Sequence, residues 1–537
     1  SGGVNVSTQN TNELSLFANP SANTRVRGLT SADNTRNYFL SDIPWDGYTV
    51  SRVDLQRGPN AILFGLGSPA GVVNATINQA EFRNRGSASA RIDQFGSLRG
   101  TLDYNRTFLD KQLAARIGVL HNEQKFRQEP AFSDDKRFAG ALRYRPAALN
   151  RNDMTFEISG NYERGTIDSN RPRILAPLDQ ITAWWAPLSE GGLDRRTFNP
   201  LTSRRETDRN QAAFFIPSLG GYRSAALVVE PTTGALGFTT PSRYLARRPD
   251  GTIINSVQAT GGDGPFPQSN SYSRLGLRRF DEWAAAAGLP FAGFGGYLPD
   301  TITDPTTFDF YNRLMDGDNK AEWTDWDVFD VGLTQTFFGD RLGYNLTAFQ
   351  QRLDGGQWAA LGWQNRVMID VNTHNLDGTP NANVGRAFIE EELRDTNATR
   401  VSDRDAWRAQ VFGQHDFSRG RSGFFARLLG EHRLTGSISE ETQKRDDRRI
   451  KGWNLDPQSL SYFTDEAFLE GGGINTAFRH YLSGDLRGRD SASGAGISTM
   501  TSTFMNREGG IMPVRYFDNT WIAPASVNPG DFWQSPD

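Results

Sequence analysis

The chain has 537 residues, no cysteine, and 58 Lys+Arg against 62 Asp+Glu, a formal charge of −4. That balance offers no basic field to draw in DNA or RNA, so nucleic acid is not an expected partner. The missing cysteines remove disulfide frameworks, thiol catalysis, iron–sulfur clusters and Cys-ligated zinc. Hydrophobic residues make up 37%, too few for a bundle of membrane helices at about 20 consecutive apolar residues each, but enough for β-barrel strands that need only every second residue apolar. The length allows three or four ordinary domains, or one very large β architecture with a smaller companion.

In chain order, the segment before Gly86 shows little alternation. It has short apolar runs (Leu14 to Phe17, Tyr38 to Leu40) and a Gly/Pro-dense stretch from Arg57 to Gly71. It predicts a small α+β domain, residues 1–80, joined through Ala75 to Arg85 to the first alternating strand. No basic-then-apolar leader precedes Ser1, so the expectation is a removed targeting segment or a chain that starts partway through a longer protein.

From Gly86 onward, period-2 alternation predicts nine strands, each with one apolar and one polar face. Ala88, Ala90 and Ile92 share a face of the first. Leu102, Tyr104 and Phe108 mark the second, with Arg106 intruding on the apolar side, and Leu113, Ala115, Ile117 and Val119 the third. Phe138, Leu142 and Tyr144 mark the fourth. Met154, Phe156, Ile158 and Tyr162 alternate with Thr155, Glu157, Ser159, Asn161 and Glu163 in the fifth. The sixth and seventh form a hairpin: Phe329, Val331, Leu333 and Phe337, then Leu342, Tyr344, Leu346 and Ala348. Trp407, Ala409 and Val411 give the eighth, and Leu428, Leu434 and Ile438 the ninth.

Connections alternate in length. Those at 109–111, 146–152, 339–340 and 418–423 are short, whereas 123–135, 165–322, 354–404 and everything beyond Glu440 are long; only the turn at Gly96-Ser97 breaks the rule. Outer-membrane barrels have this one-sidedness, with tight turns at one rim and long loops at the other, and a soluble sandwich has no reason for it. A connection as long as 165–322 is expected to hold small elements of its own, such as a helical turn or two at Asp281 to Ala287.

Two stretches resemble one family: Arg25-Val-Arg-Gly-Leu29, and the run from Val53 through Arg57-Gly-Pro59 and Leu63-Phe-Gly65-Leu-Gly67-Ser-Pro-Ala-Gly71 to Val73-Asn74. They resemble the plug domain of TonB-dependent outer-membrane receptors, siderophore receptors in particular; Asn372 to Arg386 is similar to a barrel-loop segment in one branch of them. The resemblance implies an all-β transmembrane β-barrel of 22 strands filled by an N-terminal α+β plug. About nine strands are present, so the expectation is a fragment, with a partial plug at 1–80 and a partial barrel at 86–537 whose long outer loops lie at 165–322, 354–404 and 441–537. It further implies uptake of a scarce bulky nutrient, a ferric siderophore first and an oligosaccharide or cobalamin as alternatives. The location would be the outer membrane, and the partners its lipid and the periplasmic TonB complex. No enzyme activity and no cofactor are expected. A soluble, secreted all-β carbohydrate-active protein or adhesin is the rival of a different class.

The resemblance implies that Arg27 and Arg57 pair with wall glutamates as a plug–barrel lock; solvated turn arginines are the plain alternative. Glu157 and Glu431 point inward by parity. Gly28, Gly58, Pro59, Gly65, Gly67, Gly71 and Asn74 complete the plug motif. By the same resemblance Asp33, Asn34, Arg36, Trp45, Asp46 and Tyr48 are candidates for ligand contact at the plug's outer loops. Trp184, Trp185, Trp358 and Trp363 either stack on a ligand ring or staple the long loops. Other chemistry lacks its residues: Gly65 to Gly71 has no Gly-Lys-Ser/Thr ending, the five histidines show no HExxH, Asp316-Gly-Asp-Asn319 lacks the sixth-position glycine of a calcium loop, and no Gly-x-Ser-x-Gly appears.

Overall fold

The computed structural model describes residues 33–56, 71–182 except 152, 301–361, 365–369, 382–392, 397–417, 430–450 and 477–501, with a few short isolated pieces. Three parts succeed one another: a small sheet, a long antiparallel wall, and a cap built from the wall's long connections.

The small sheet holds β1 (Asp33–Arg36), β2 (Phe39–Leu40), β3 (Val50–Gln56) and β4 (Val72–Ile77) in the order β2-β1-β4-β3. In 33–56 and 71–84 every regular element is a strand, so the α part of the expected plug is not found there. β1 and β2 are joined by Asn37-Tyr38, both at positive φ (51° and 63°), as a two-residue hairpin turn requires. Asn74 holds that turn: its Oδ1 accepts from Thr35 Oγ1 at 3.0 Å and from the Tyr38 N–H at 2.8 Å. Gly71 leads into β4 at φ 100°, a backbone that disfavours any side chain.

The wall is one nine-stranded sheet: β5 (Arg85–Ile92), β6 (Leu98–Phe108), β7 (Leu113–Lys125), β8 (Phe132–Tyr144), β9 (Thr155–Asn170), β11 (Lys320–Phe337), β12 (Leu342–Ala359), β15 (Asn397–Asp416) and β16 (Glu431–Ile450). The strands run in sequence order with each pair antiparallel. Register carries the apolar residues across the sheet in one band. Leu102 stands opposite Val119, Val119 opposite Phe138, Tyr144 opposite Ile158, Ile158 opposite Leu333, Leu333 opposite Leu346, and Ala348 opposite Trp407.

That band faces out: Leu102, Val119, Phe138, Phe329, Leu346, Trp407 and Ile438 are all exposed. The opposite face is polar and buried, with Asn105, Arg116, Arg137, Asn161, Glu163, Asp330 and Gln351. The burial is thus inverted relative to a protein in water, as in a sheet with lipid outside and polar filling inside. The small sheet lies on the polar face and touches β6 through β15, seven consecutive strands. Seven strands laid flat span about 29 Å and four about 14 Å at roughly 4.8 Å spacing. The wall must therefore curve around the small sheet to reach it from both sides.

The strands outrun their predicted ends at the long-connection rim. The connection expected at 123–135 shrinks to 126–131, β9 runs on to Asn170, β12 to Ala359, and β16 to Ile450 instead of stopping at Glu440. Above the apolar band the outward face of β9 turns polar, as at Arg164 and Asp168, while Ile167 and Trp326 are on the inward face, so the strands continue where the band's pattern has stopped.

The long connections form the cap. β10 (Leu178–Gln180), β13 (Arg366–Ile369), β14 (Arg386–Glu392) and β17 (Ala477–Asp485) make a sheet in that order, continued by two short strands at Ala226–Val229 and Leu236–Phe238. Ile181, Ile302, Phe308, Leu361, Ile389 and Leu482 pack into its apolar core. Arg173 and Asp316 form a buried two-pronged ion pair at 2.5 and 2.6 Å beside it. Burial alone would raise the Asp316 carboxyl, but Arg173 outweighs it and holds the group below the usual range. The first carboxylate of the calcium-like stretch is thereby occupied by a guanidinium. Residues 281–287 lie outside the described residues.

Candidate functional site

The site is the seam between the small sheet and the wall, together with the outer loop 41–48 that emerges from it. At its centre Glu163, on β9, is buried. It takes a charge-assisted hydrogen bond from Arg36 on β1 and accepts from the Tyr48 hydroxyl at 3.2 Å, and the Arg137 guanidinium stands 3.8 Å away. Arg137 is itself held by Asp135 at 2.7 Å through both Nε and Nη2, and it donates to the Pro44 carbonyl. Its guanidinium stacks over Trp326 at 4.7 Å. Trp326 in turn fills the space over Gly165, where an added Cβ would meet the ring at 2.1 Å. Burial and the Glu163 charge together push the Tyr48 hydroxyl up, so it stays a donor.

Toward the long-connection rim two aspartates of the outer loop reach opposite parts of the wall. Asp46 binds Arg99 of β6 with Nη1 at 3.1 Å and Nη2 at 2.6 Å. Asp42 binds Arg404 of β15 with Nε at 2.9 Å and Nη2 at 3.2 Å, and accepts from Ser402 Oγ at 3.1 Å. Burial would raise Asp46, but the bonds and charge of Arg99 overcome it and hold the carboxyl below its usual value. Between them Trp45 is 41% exposed.

Three further contacts complete the seam. Phe39 stacks on Phe349 with centroids 5.1 Å apart and lies under Arg408, whose Nη2 donates to the Tyr38 carbonyl at 2.7 Å. Ser41 Oγ donates to Gln351 Oε1 at 2.7 Å. Phe39 and Ile43 pack with Trp326, Val328 and Leu353 in an apolar patch within the polar interface. At the other rim Asn105 takes the carbonyls of Glu81 and Arg83, Arg116 that of Gln79, and Arg143 that of Ala80, fixing the exit from β4 into β5.

Of the residues read from sequence, Arg27, Arg57, Gly28, Gly58, Pro59, Gly65 and Gly67 lie outside the described residues. Arg36, Asp46 and Tyr48 all contact the wall in this structure, and Arg36 is only 4% exposed. Asp33 and Asn34 lie in β1, where the Asp33 N–H donates to Gly71 and the Asn34 carbonyl accepts from Ser41. Trp45 alone among the six presents a large exposed ring. Glu157 does face inward, but its partners are the wall's Arg143 and Arg145; Glu431 is exposed beside Arg433. Trp185 donates to the Arg489 carbonyl at 2.9 Å and packs on the cap core, a stapling contact. Trp184 and Trp363 lie outside the described residues.

Sequence reading missed Glu163, Arg137, Arg99, Asp42 and Arg404 as a set. Parity placed Glu163 on the polar face. Nothing in a single strand tells which polar residue meets the small sheet, because the partners are 53 to 362 residues away. Among the described residues no group of three or more His, Asp or Glu side chains is placed to hold a metal ion.

No family model matches the chain, and no curated protein is similar to it. Solved structures with a related arrangement include the siderophore receptor PiuA from Acinetobacter baumannii (13% identity, TM-score 0.41, 79% of this chain and 40% of that one). BauA, the ferric preacinetobactin receptor of the same organism, is 12% identical with TM-score 0.38 and coverages of 81% and 42%. The ferripyoverdine receptor of the Pseudomonas aeruginosa outer membrane is 9% identical with TM-score 0.39 and coverages of 81% and 39%. The chain spans about two fifths of the length of these receptors.

Proposed function

We propose that this chain is part of a TonB-dependent outer-membrane receptor that imports a bulky iron chelate, with 33–80 in its plug, 85–450 supplying nine wall strands, and the cap on the outer side. The observation that carries the reading is the inverted wall: an exposed apolar band outside, a buried polar face inside, and a small sheet held on that face through Glu163. A soluble all-β protein has no use for Leu102, Val119, Phe138, Phe329, Leu346 and Trp407 in one exposed row. Such a sheet is stable where lipid covers it.

The loop 41–48, with Trp45 exposed, is the part of the plug a ligand would meet first. Glu163 would be the wall glutamate of the lock, and Arg36 its plug partner, with Arg27 and Arg57 as further lock arginines in the plug motif. TonB would pull on the plug from the side where 78–84 leaves it.

The test is uptake of radiolabelled iron by cells lacking and regaining the gene under iron starvation, supplied with ferric citrate, a catecholate chelate or a hydroxamate chelate in turn. Gene-dependent uptake that vanishes when TonB is deleted is the expected result. Iron uptake unchanged by the gene, with gene-dependent uptake of an oligosaccharide or cobalamin, would move the substrate and keep the transporter. Recovery of the protein from the soluble fraction would end the reading.

A further inference from the structure

The seam contains two kinds of ion pair. Arg36 and Glu163 are sealed, with side chains 5% and 1% exposed. The outer pairs are open to solvent: Arg99 and Asp46 are each 22% exposed, and Arg404 and Asp42 are 11% and 21%. Asp42 and Asp46 stand four residues apart on one loop, yet their arginines come from β15 and β6, six places apart in the sheet. The loop is thus a clip between distant parts of the wall, and Arg137, through the Pro44 carbonyl, holds its middle.

More arginines face inward nearby. Arg91 stands directly opposite Arg99 in register and so shares its face. Arg400 and Arg445 both hold Asp447, close to Arg404 along the same face of β15 and β16. Like charges opposite one another cost energy unless an anion lies between them.

Resting on the receptor reading, we propose that Asp42 and Asp46 are place-holding anions, and that a cargo with at least two anionic groups, carboxylate or catecholate, takes Arg404 and Arg99 from them and so releases the outer loop. One carboxylate replaces another in this exchange: Arg404 keeps Glu441 at 2.9 Å throughout and trades only Asp42, and Arg99 is not left half-buried and unpaired at its end. A neutral or cationic cargo offers only uncharged acceptors, weaker partners than the carboxylates they would displace, and leaves the clip shut. Once both aspartates are free the loop keeps only its deeper holds, Ser41 on Gln351, Ile43 in the apolar patch, Arg137 on the Pro44 carbonyl and Tyr48 on Glu163, while the sealed Arg36–Glu163 pair beneath stays out of the cargo's reach. Anionic charge would then be required for signalling across the plug, beyond any part it has in binding.

A single spin label decides it. The chain has no cysteine, and a side chain at Gly47 meets nothing within 4 Å, so Gly47→Cys carries a nitroxide on the loop without disturbing it. The full-length protein in detergent is titrated with ferric citrate, an anion, and with ferrioxamine B, a cation, while binding is followed separately by calorimetry. The label is expected to be immobile in the free protein and to loosen with ferric citrate. It should be loose from the start, with no further change, in Asp42→Asn/Asp46→Asn. In Arg99→Gln/Arg404→Gln, ferric citrate should bind at least about tenfold more weakly, as the loss of charge-assisted hydrogen bonds implies. If the double asparagine variant fails to fold, the wild-type titration decides alone. Ferric citrate that binds without loosening the label overturns the clip. Binding of ferrioxamine B alone overturns it too but leaves the receptor standing. Failure of every chelate to bind, together with no gene-dependent iron uptake, removes both.

Discussion

The wall and the cap are made by one chain, yet they bury opposite things. In the wall, Leu346 and Phe329 face out and Glu163 and Arg137 face in; in the cap, Phe308 and Ile389 face in while Asp485 and Arg487 are exposed. The difference shows which surroundings each was selected for. An apolar residue is hidden from water in the cap by its neighbours, whereas in the wall it lies on the chain's own surface, where on the receptor reading lipid would cover it. Polar residues of the wall's inner face meet another protein surface, so they need partners, and the small sheet and its loop supply many of them.

Substitutions that treat the two regions alike should therefore separate them. Phe308→Ala empties a place in the cap core and should cost about 3–5 kcal/mol. The cap should become sensitive to protease while the wall, on the receptor reading, still runs as a folded, heat-modifiable band on an unboiled gel; loss of that band in the variant alone would mean the regions fold as one. Next, acid should weaken the cap and leave the wall's apolar band unaffected. His480 is buried, and burial followed by the Arg386 charge brings its pKa from 6.5 down to about 4. The unfolded chain thus takes the proton first. The cap keeps its full stability above about pH 6.5 and loses about 3 kcal/mol as the pH falls toward 4. Protease sensitivity of the cap measured across that range should rise as pH falls, and His480→Gln should flatten the curve.

Leu346→Arg places a charge in the middle of the apolar band and should cost about 2–4 kcal/mol if lipid lies there. The heat-modifiable band should weaken in membranes, with cap proteolysis unchanged. A stable, unaltered variant would argue that water, and not lipid, meets this face. The smallest effect is Trp185→Phe, which removes one hydrogen bond to Arg489 and should lower cap stability by about 1 kcal/mol. A loss several times larger would show that Trp185 carries the packing of the whole cap.

Much of this was readable in the sequence, and unevenly so. The nine wall strands come from alternation, since Met154 to Glu163 changes polarity at every step and each strand has only two faces to assign. The inverted sense of that alternation is not in the pattern itself. Leu102 and Tyr104 on one face look the same whether that face is covered by the chain or left exposed, and only the assembled sheet, with its exposed band and its covered polar side, decides which. Strand ends lie farther on than the pattern suggests where the outward face turns polar, beyond Arg164, and where both faces do, beyond Glu440. The cap was legible only as long connections, because its core gathers Ile181, Phe308, Ile389 and Leu482 from four separate stretches.

The candidate site divides in the same way. The loop 41–48 stands out in the sequence only through the family resemblance, which points to Asp46 and Tyr48 there. Their partners depend on how seven strands curve about the small sheet, which brings Glu163, Arg99 and Arg404 to residues 53 to 362 positions away. Local polarity and period are properties of adjacent residues, so the sequence by itself determined the strands, their two faces and the tight turns. A charge pair depends on where two distant backbones meet, and so only the tertiary structure decided which carboxylate holds which arginine, and which of those pairs solvent can reach.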